Sequence, residues 1–188
     1  MRPGRTGFAP VLVAVGGLVA SGKSTLAREL ALKLGAEQID ADRVRESLLG
    51  GRWAHSFDPG FEEEVYAELL LRAEVVLDSG RPVVLDACFP LARYRIAARA
   101  LAERHEQPFL FVECRVSEAT TRGRLAARDD RAGHPGWEQI HRDLAAHWQP
   151  VRELKPGEHL VVETDRSFSA NEAALESHLP ARSAGVRD

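Results

Sequence analysis

Residues 11–25 read Val11-Leu12-Val13-Ala14-Val15-Gly16-Gly17-Leu18-Val19-Ala20-Ser21-Gly22-Lys23-Ser24-Thr25, an apolar run that breaks into a glycine-bracketed loop. From Gly17 to Ser24 the loop fits GxxxxGK[ST] in full, between a strand-like run and the helical pattern Ser24–Leu34 that stops at Gly35. Glycine lets the backbone turn tightly enough for successive N–H groups to face one anion, and the helix that follows adds its positive end. Gly17, Ala20, Ser21, Gly22, Lys23, Ser24 and Thr25 are therefore candidate nucleotide-binding residues. In that chemistry Lys23 reaches the β- and γ-phosphates and the Ser24 hydroxyl takes a Mg²⁺ position. Gly16, Gly17 and Gly22 cannot be arranged as GxGxxG, which sets aside a dinucleotide and points to ATP with Mg²⁺.

Further apolar runs stand at Ala36–Asp40, Val83–Ala87, Phe109–Cys114 and His159–Glu163, separated by stretches with helical periodicity. Alternating β and α of this kind predicts an α/β fold on a parallel sheet buried on both faces. Ligands in such sheets sit at the carboxyl ends of the strands. The second run ends in Asp40-Ala41-Asp42-Arg43-Val44-Arg45 and the third in Asp86-Ala87-Cys88-Phe89. Asp86 is placed to hold Mg²⁺ through water, or to cap the next helix. Asp42 is placed as a general base for an acceptor hydroxyl, or as the cap of a helix from Arg43 to Leu49. Extended alternation would turn Asp40 the other way. The stretch Phe61–Asp78 opens on the acidic turn Glu62, Glu63, Glu64, which suits a helix N-terminus.

The whole chain has 188 residues, 44% apolar and 28% charged, with a formal net charge of −3. That balance excludes general disorder and predicts one domain over residues 8–180, with flexible ends at 1–7 and 181–188. The net acidity argues against a nucleic-acid partner. No apolar run approaches the roughly 20 residues that span a bilayer, so a cytoplasmic protein is expected. Cys88 and Cys114 lie in separate apolar runs and read as buried thiols. Only three of the 25 basic residues are lysines, one of them Lys23.

Gly17 to Thr25, Asp42-Arg43-Val44-Arg45, and Val83 to Phe89 followed by Arg95 together resemble a bacterial family of AAA-domain-like small P-loop kinases. That family is related to polynucleotide 5′-hydroxyl kinase and chloramphenicol phosphotransferase, and the likeness runs from about Val11 to Thr164. It implies a three-layer α/β sandwich with five parallel strands in the order 2-3-1-4-5, and a small helical lid over about residues 118–137. It also implies ATP-dependent phosphoryl transfer to an alcohol, with Asp42 and Arg45 matching the base and the substrate-side arginine of an Asp-x-x-Arg element. In the lid, Arg124 and Arg128 match an Arg-x-x-x-Arg pair that neutralises the moving phosphoryl group. A solvated basic helix face is the other reading of that pair.

The expected enzyme is an ATP-dependent kinase of a small-molecule alcohol. A nucleotide or nucleic-acid 5′-hydroxyl kinase, or an ATP-binding regulatory switch, are the alternatives. Expected substrate-side residues are Asp42, Arg45, Asp86, Arg95, Trp53 and His134, the last two on loops rich in glycine and proline. Trp53 stacks on a substrate ring or packs back onto the core, while Trp137 and Trp148 read as packing residues.

Overall fold

A computed structural model describes residues 9–50, 59–132 and 136–180. Trp53, His134 and both terminal segments lie outside the described residues. The chain order is β1 (Leu12–Gly16), α1 (Lys23–Leu34), β2 (Glu37–Asp40), α2 (Ala41–Leu48), α3 (Pro59–Asp78), β3 (Val83–Asp86) and α4 (Ala92–Arg104). It continues with β4 (Phe109–Arg115), α5 (Glu118–Ala132), α6 (Trp137–His147), β5 (His159–Glu163) and α7 (Phe168–His178). The strands form one parallel sheet in the order β2-β3-β1-β4-β5, as expected.

Each inner strand alternates between two cores because successive side chains point to opposite faces. Leu12, Ala14, Val83, Leu85 and Phe111 pack with Val65, Leu69 and Ala73 of α3 and Ala98 and Leu101 of α4. Val13, Val15, Val84, Leu110 and Val112 pack with Leu26, Leu30 and Leu34 of α1 and Leu175 of α7. A third cluster of Val19, Leu125 and Trp137 ties the loop after β1 to α5 and α6. Helix α7 has no counterpart among the sequence expectations. Ser167 caps it by accepting from the Ala170 amide, and Leu175, fully buried, is its anchor.

The register lines up the strand ends that matter: Asp86 lies opposite Val15 on one side and Asp40 on the other. Two polar strand ends, Asp40 and Asp86, thus lie side by side at the carboxyl end of the sheet. No helix among the described residues is long and apolar enough to cross a membrane.

Candidate active site

The loop between β1 and α1 is built to leave donors free. Helix α1 starts after Gly22, at φ 84°, with no side-chain cap and no acid in its first turn. Its first amides therefore lack intrahelical partners and converge with the positive end of the helix dipole. Ala20, Gly22, Lys23, Ser24 and Thr25 line a cavity of about 600 Å³, together with Arg124, Arg128, Thr164, Arg166, Phe168 and Asn171. Gly17 and Ser21 stand behind that wall. A Cβ on Gly17, at φ 143°, would lie 2.6 Å from Ser21 Oγ and 2.7 Å from the Cys114 carbonyl, so close packing demands glycine there.

A smaller cavity, about 60 Å³, opens on the other side of the same loop. It is lined by Asp40, Asp42, Arg45, Glu62, Asp86 and Cys88, with Tyr66, Trp137, Ile140 and Leu144 as its apolar wall. Lys23, Ser24 and Arg128 line both cavities and so form the partition between them.

The two aspartates after β2 divide their work. Asp40 is the cap of α2, its Oδ1 accepting from the amides of Asp42 at 2.7 Å and Arg43 at 3.3 Å. The helix consequently starts at Ala41, two residues earlier than the sequence pattern suggests, and the extended alternation ends there. Asp40 and Asp42 both line the smaller cavity as a result. Asp42 is released from capping and receives Arg45 Nη1 on Oδ1 at 2.9 Å. Arg45 also donates through Nη2 to Glu62.

Asp86 is 2% exposed, and one of its carboxylate oxygens, Oδ1, is buried without a hydrogen-bond partner. Burial raises its carboxyl to about 6, against the opposing pull of the Lys23 ammonium and with a further push from Asp40. A buried, unpaired carboxylate oxygen beside the Ser24 hydroxyl fits a Mg²⁺ ion held mainly by phosphate and water. Among the described residues, no group of three or more His, Cys, Asp or Glu could hold a metal ion. Lys23 is pushed down by burial, yet the negative groups around it, Asp86 and Asp42 among them, leave it raised overall and charged.

The two arginines of α5 differ. Arg128 stacks on the Trp137 ring, 3.7 Å from its centroid, at the partition. Arg124 donates to the carbonyls of Ala20 and Thr164, each at 3.1 Å, and so bridges the loop to the end of β5 on the side of the larger cavity. Both are tied down, against the reading of a freely solvated basic face. Arg95 is not brought to either cavity. It is fully buried, bonded to Glu153 and to the carbonyls of Phe89 at 2.8 Å and Gln149 at 3.0 Å, which makes it a clamp on the core. Trp148 packs on the same core, as expected.

Sequence reasoning passed over several lining residues. Glu62 had a sufficient explanation as a helix-start acid, Tyr66 as a core residue and Cys88 as a buried thiol. Cys88 is only half-buried, and its place two residues beyond the end of β3 is the signal that could have found it. Arg166, Phe168 and Asn171 belong to the overlooked α7 or the turn before it.

A family model described as an AAA domain matches residues 12–150. The chain belongs to that family, as a P-loop kinase-like domain. An uncharacterized protein of Mycobacterium tuberculosis is 32% identical over 127 residues, covering 62% of this chain and 25% of that protein. The chain thus spans about a quarter of the length of such relatives. Among solved structures, a sugar kinase from Janibacter sp. HTCC2649 superposes with a TM-score of 0.68 at 20% identity, covering 89% of this chain and 93% of the other. The APS kinase CysC of Mycobacterium tuberculosis, in complex with AMPPNP and APS, gives 0.63 at 23% identity, covering 91% and 98%. At those identities the likeness shows the fold.

Proposed function

We propose that this P-loop domain is an ATP-dependent phosphotransferase that moves the γ-phosphoryl group to a hydroxyl of a small-molecule acceptor. The observation that carries the reading is the partition: Lys23, Ser24 and Arg128 face a large cavity on one side and the Asp42–Arg45 pair on the other. ATP occupies the larger cavity, its phosphates on the loop amides and Lys23, and the reacting hydroxyl end of the acceptor enters the smaller one. The kinship with a structure that holds AMPPNP supports the nucleotide assignment.

In this reading Asp42 accepts the acceptor's hydroxyl proton as that oxygen bonds to the γ-phosphorus. The bond from phosphorus to the bridging β–γ oxygen breaks, and ADP leaves. Arg45 holds Asp42 in place, and Lys23 and Arg128 meet the charge on the transferring group from opposite sides. Ser24 and Asp86 would hold Mg²⁺, which neutralises phosphate charge. Arg124 positions the loop, and α5 with α6 serves as the lid that excludes water.

The test is ADP release measured against pools of alcohols, aminoglycosides, nucleosides and 5′-hydroxyl oligonucleotides. The proposal expects at least one pool of small molecules to accelerate release and Lys23→Ala to abolish it with the fold intact. A basal rate indifferent to every pool would instead support a nucleotide-binding switch.

A further inference from the structure

Among the described residues of the smaller cavity, the cations are Lys23, Arg45 and Arg128. Lys23 and Arg128 also face the larger cavity, so among the described residues Arg45 is the cation confined to the acceptor side. That guanidinium already faces two carboxylates. Nη1 donates to Asp42, Nη2 to Glu62, and the side chain is 13% exposed. Of its other N–H donors, Nε is buried without a partner. Two carboxylates thus share one enclosed guanidinium. Glu62 reaches it from the first turn of α3, an element separate from the α2 segment that carries Asp42 and Arg45.

We infer that Glu62 is a specificity-determining residue: it occupies the place on Arg45 that an acceptor's phosphate or carboxylate would take, so the acceptor is an uncharged or amine-bearing alcohol. The inference rests on the smaller cavity being the acceptor side. An anionic acceptor would have to displace Glu62 and then lie beside its unpaired carboxylate and that of Asp42, an arrangement that rejects wrong partners by repulsion. A neutral hydroxyl can donate to the outer lone pairs of Asp42 and Glu62, and an ammonium group gains from both charges. Tyr66, Trp137, Ile140 and Leu144 offer the carbon skeleton an apolar wall. The same arrangement disfavours a hydroxyl flanked by phosphate, as at a nucleic-acid end.

The test is a titration of orthophosphate into protein saturated with Mg·AMPPNP, so that the donor side is filled, with the Arg45 side-chain resonance followed by NMR. Wild type is expected to show no saturable shift of Arg45 across the millimolar range. Glu62→Ala is expected to bind orthophosphate at least roughly tenfold more tightly, a difference of about 1.4 kcal/mol. Glu62→Gln should show the same trend, and adding Arg45→Met to Glu62→Ala should abolish the gain, followed in that double variant by the backbone amide shifts of α2 and α3. Orthophosphate binding at Arg45 in wild type as tight as in Glu62→Ala, or no gain in either single variant, would overturn the inference. An ADP-release comparison separates this from the kinase reading. Stimulation of wild type by sugar phosphates or sugar acids, and not by polyols or aminoglycosides, overturns the charge selection and leaves the kinase standing. Silence with every pool strikes the kinase reading, and the phosphate titration still decides the role of Glu62.

Discussion

Asp40 and Asp42 are two residues apart and chemically identical, yet the structure gives only Asp40 a backbone to hold. Asp40→Ala should therefore lower stability by about 0.5–2 kcal/mol, the usual loss of a helix cap, as read by urea unfolding. Asp42→Asn should leave the unfolding midpoint unchanged. Asp86 makes a third carboxylate prediction with the opposite sign from most acids. Its folded carboxyl lies near 6 against an ordinary 3.8, so between those values the folded state keeps a proton that the unfolded chain has lost. Stability of the nucleotide-free protein should thus fall as pH rises through that window. The full penalty, on the order of 3 kcal/mol, is present above it. Asp86→Asn should flatten the profile and melt higher at pH 8, and because a proton competes with Mg²⁺ for this carboxylate, Mg²⁺ affinity of wild type should weaken as pH drops through 6.

Helix α1 breaks the ordinary rules for a helix start: it has no cap and no acid in its first turn, and a lysine stands at the positive end of its dipole. Those violations were legible because an anion cures all of them at once, which is why the loop could be assigned from sequence. Gly17→Ala should cost roughly 1–3 kcal/mol in thermal unfolding, since the added methyl would press on Ser21 and the Cys114 carbonyl at a φ that suits glycine. The start of α2 was less legible, because Asp40 and Asp42 are both good caps and only the paired strand ends decide which is used. Helix α7 escaped notice since Leu175 is its one buried residue, leaving almost no apolar stripe to read. Glu62 escaped for another reason. A helix-start acid looks the same in sequence whether it faces water or a guanidinium from the preceding helix.

The sheet order was available from the resemblance, and the two-sided core from the alternating runs, because burial on both faces leaves few ways to arrange five parallel strands. Long-range side-chain partners were not available. Arg95 is the clearest instance, an arginine next to a site-forming segment that turns inward to bind Glu153, 58 residues away. Arg95→Met should strand that carboxylate and several carbonyls, at a cost of about 3–5 kcal/mol. That corresponds to a melting point lower by roughly 10 °C. Among molecules still folded, nucleotide affinity should be unchanged. What the whole fold achieves is a shared wall between two cavities, with Lys23, Ser24 and Arg128 on the wall and the proposed base, Asp42, beyond it. Acceptor-dependent ADP release by wild type and Asp42→Asn, with ATP affinity measured alongside, tests that claim most directly. The account predicts a rate lower by roughly 10²–10⁴-fold in the variant at unchanged ATP affinity. A variant rate within a factor of a few of wild type would contradict it.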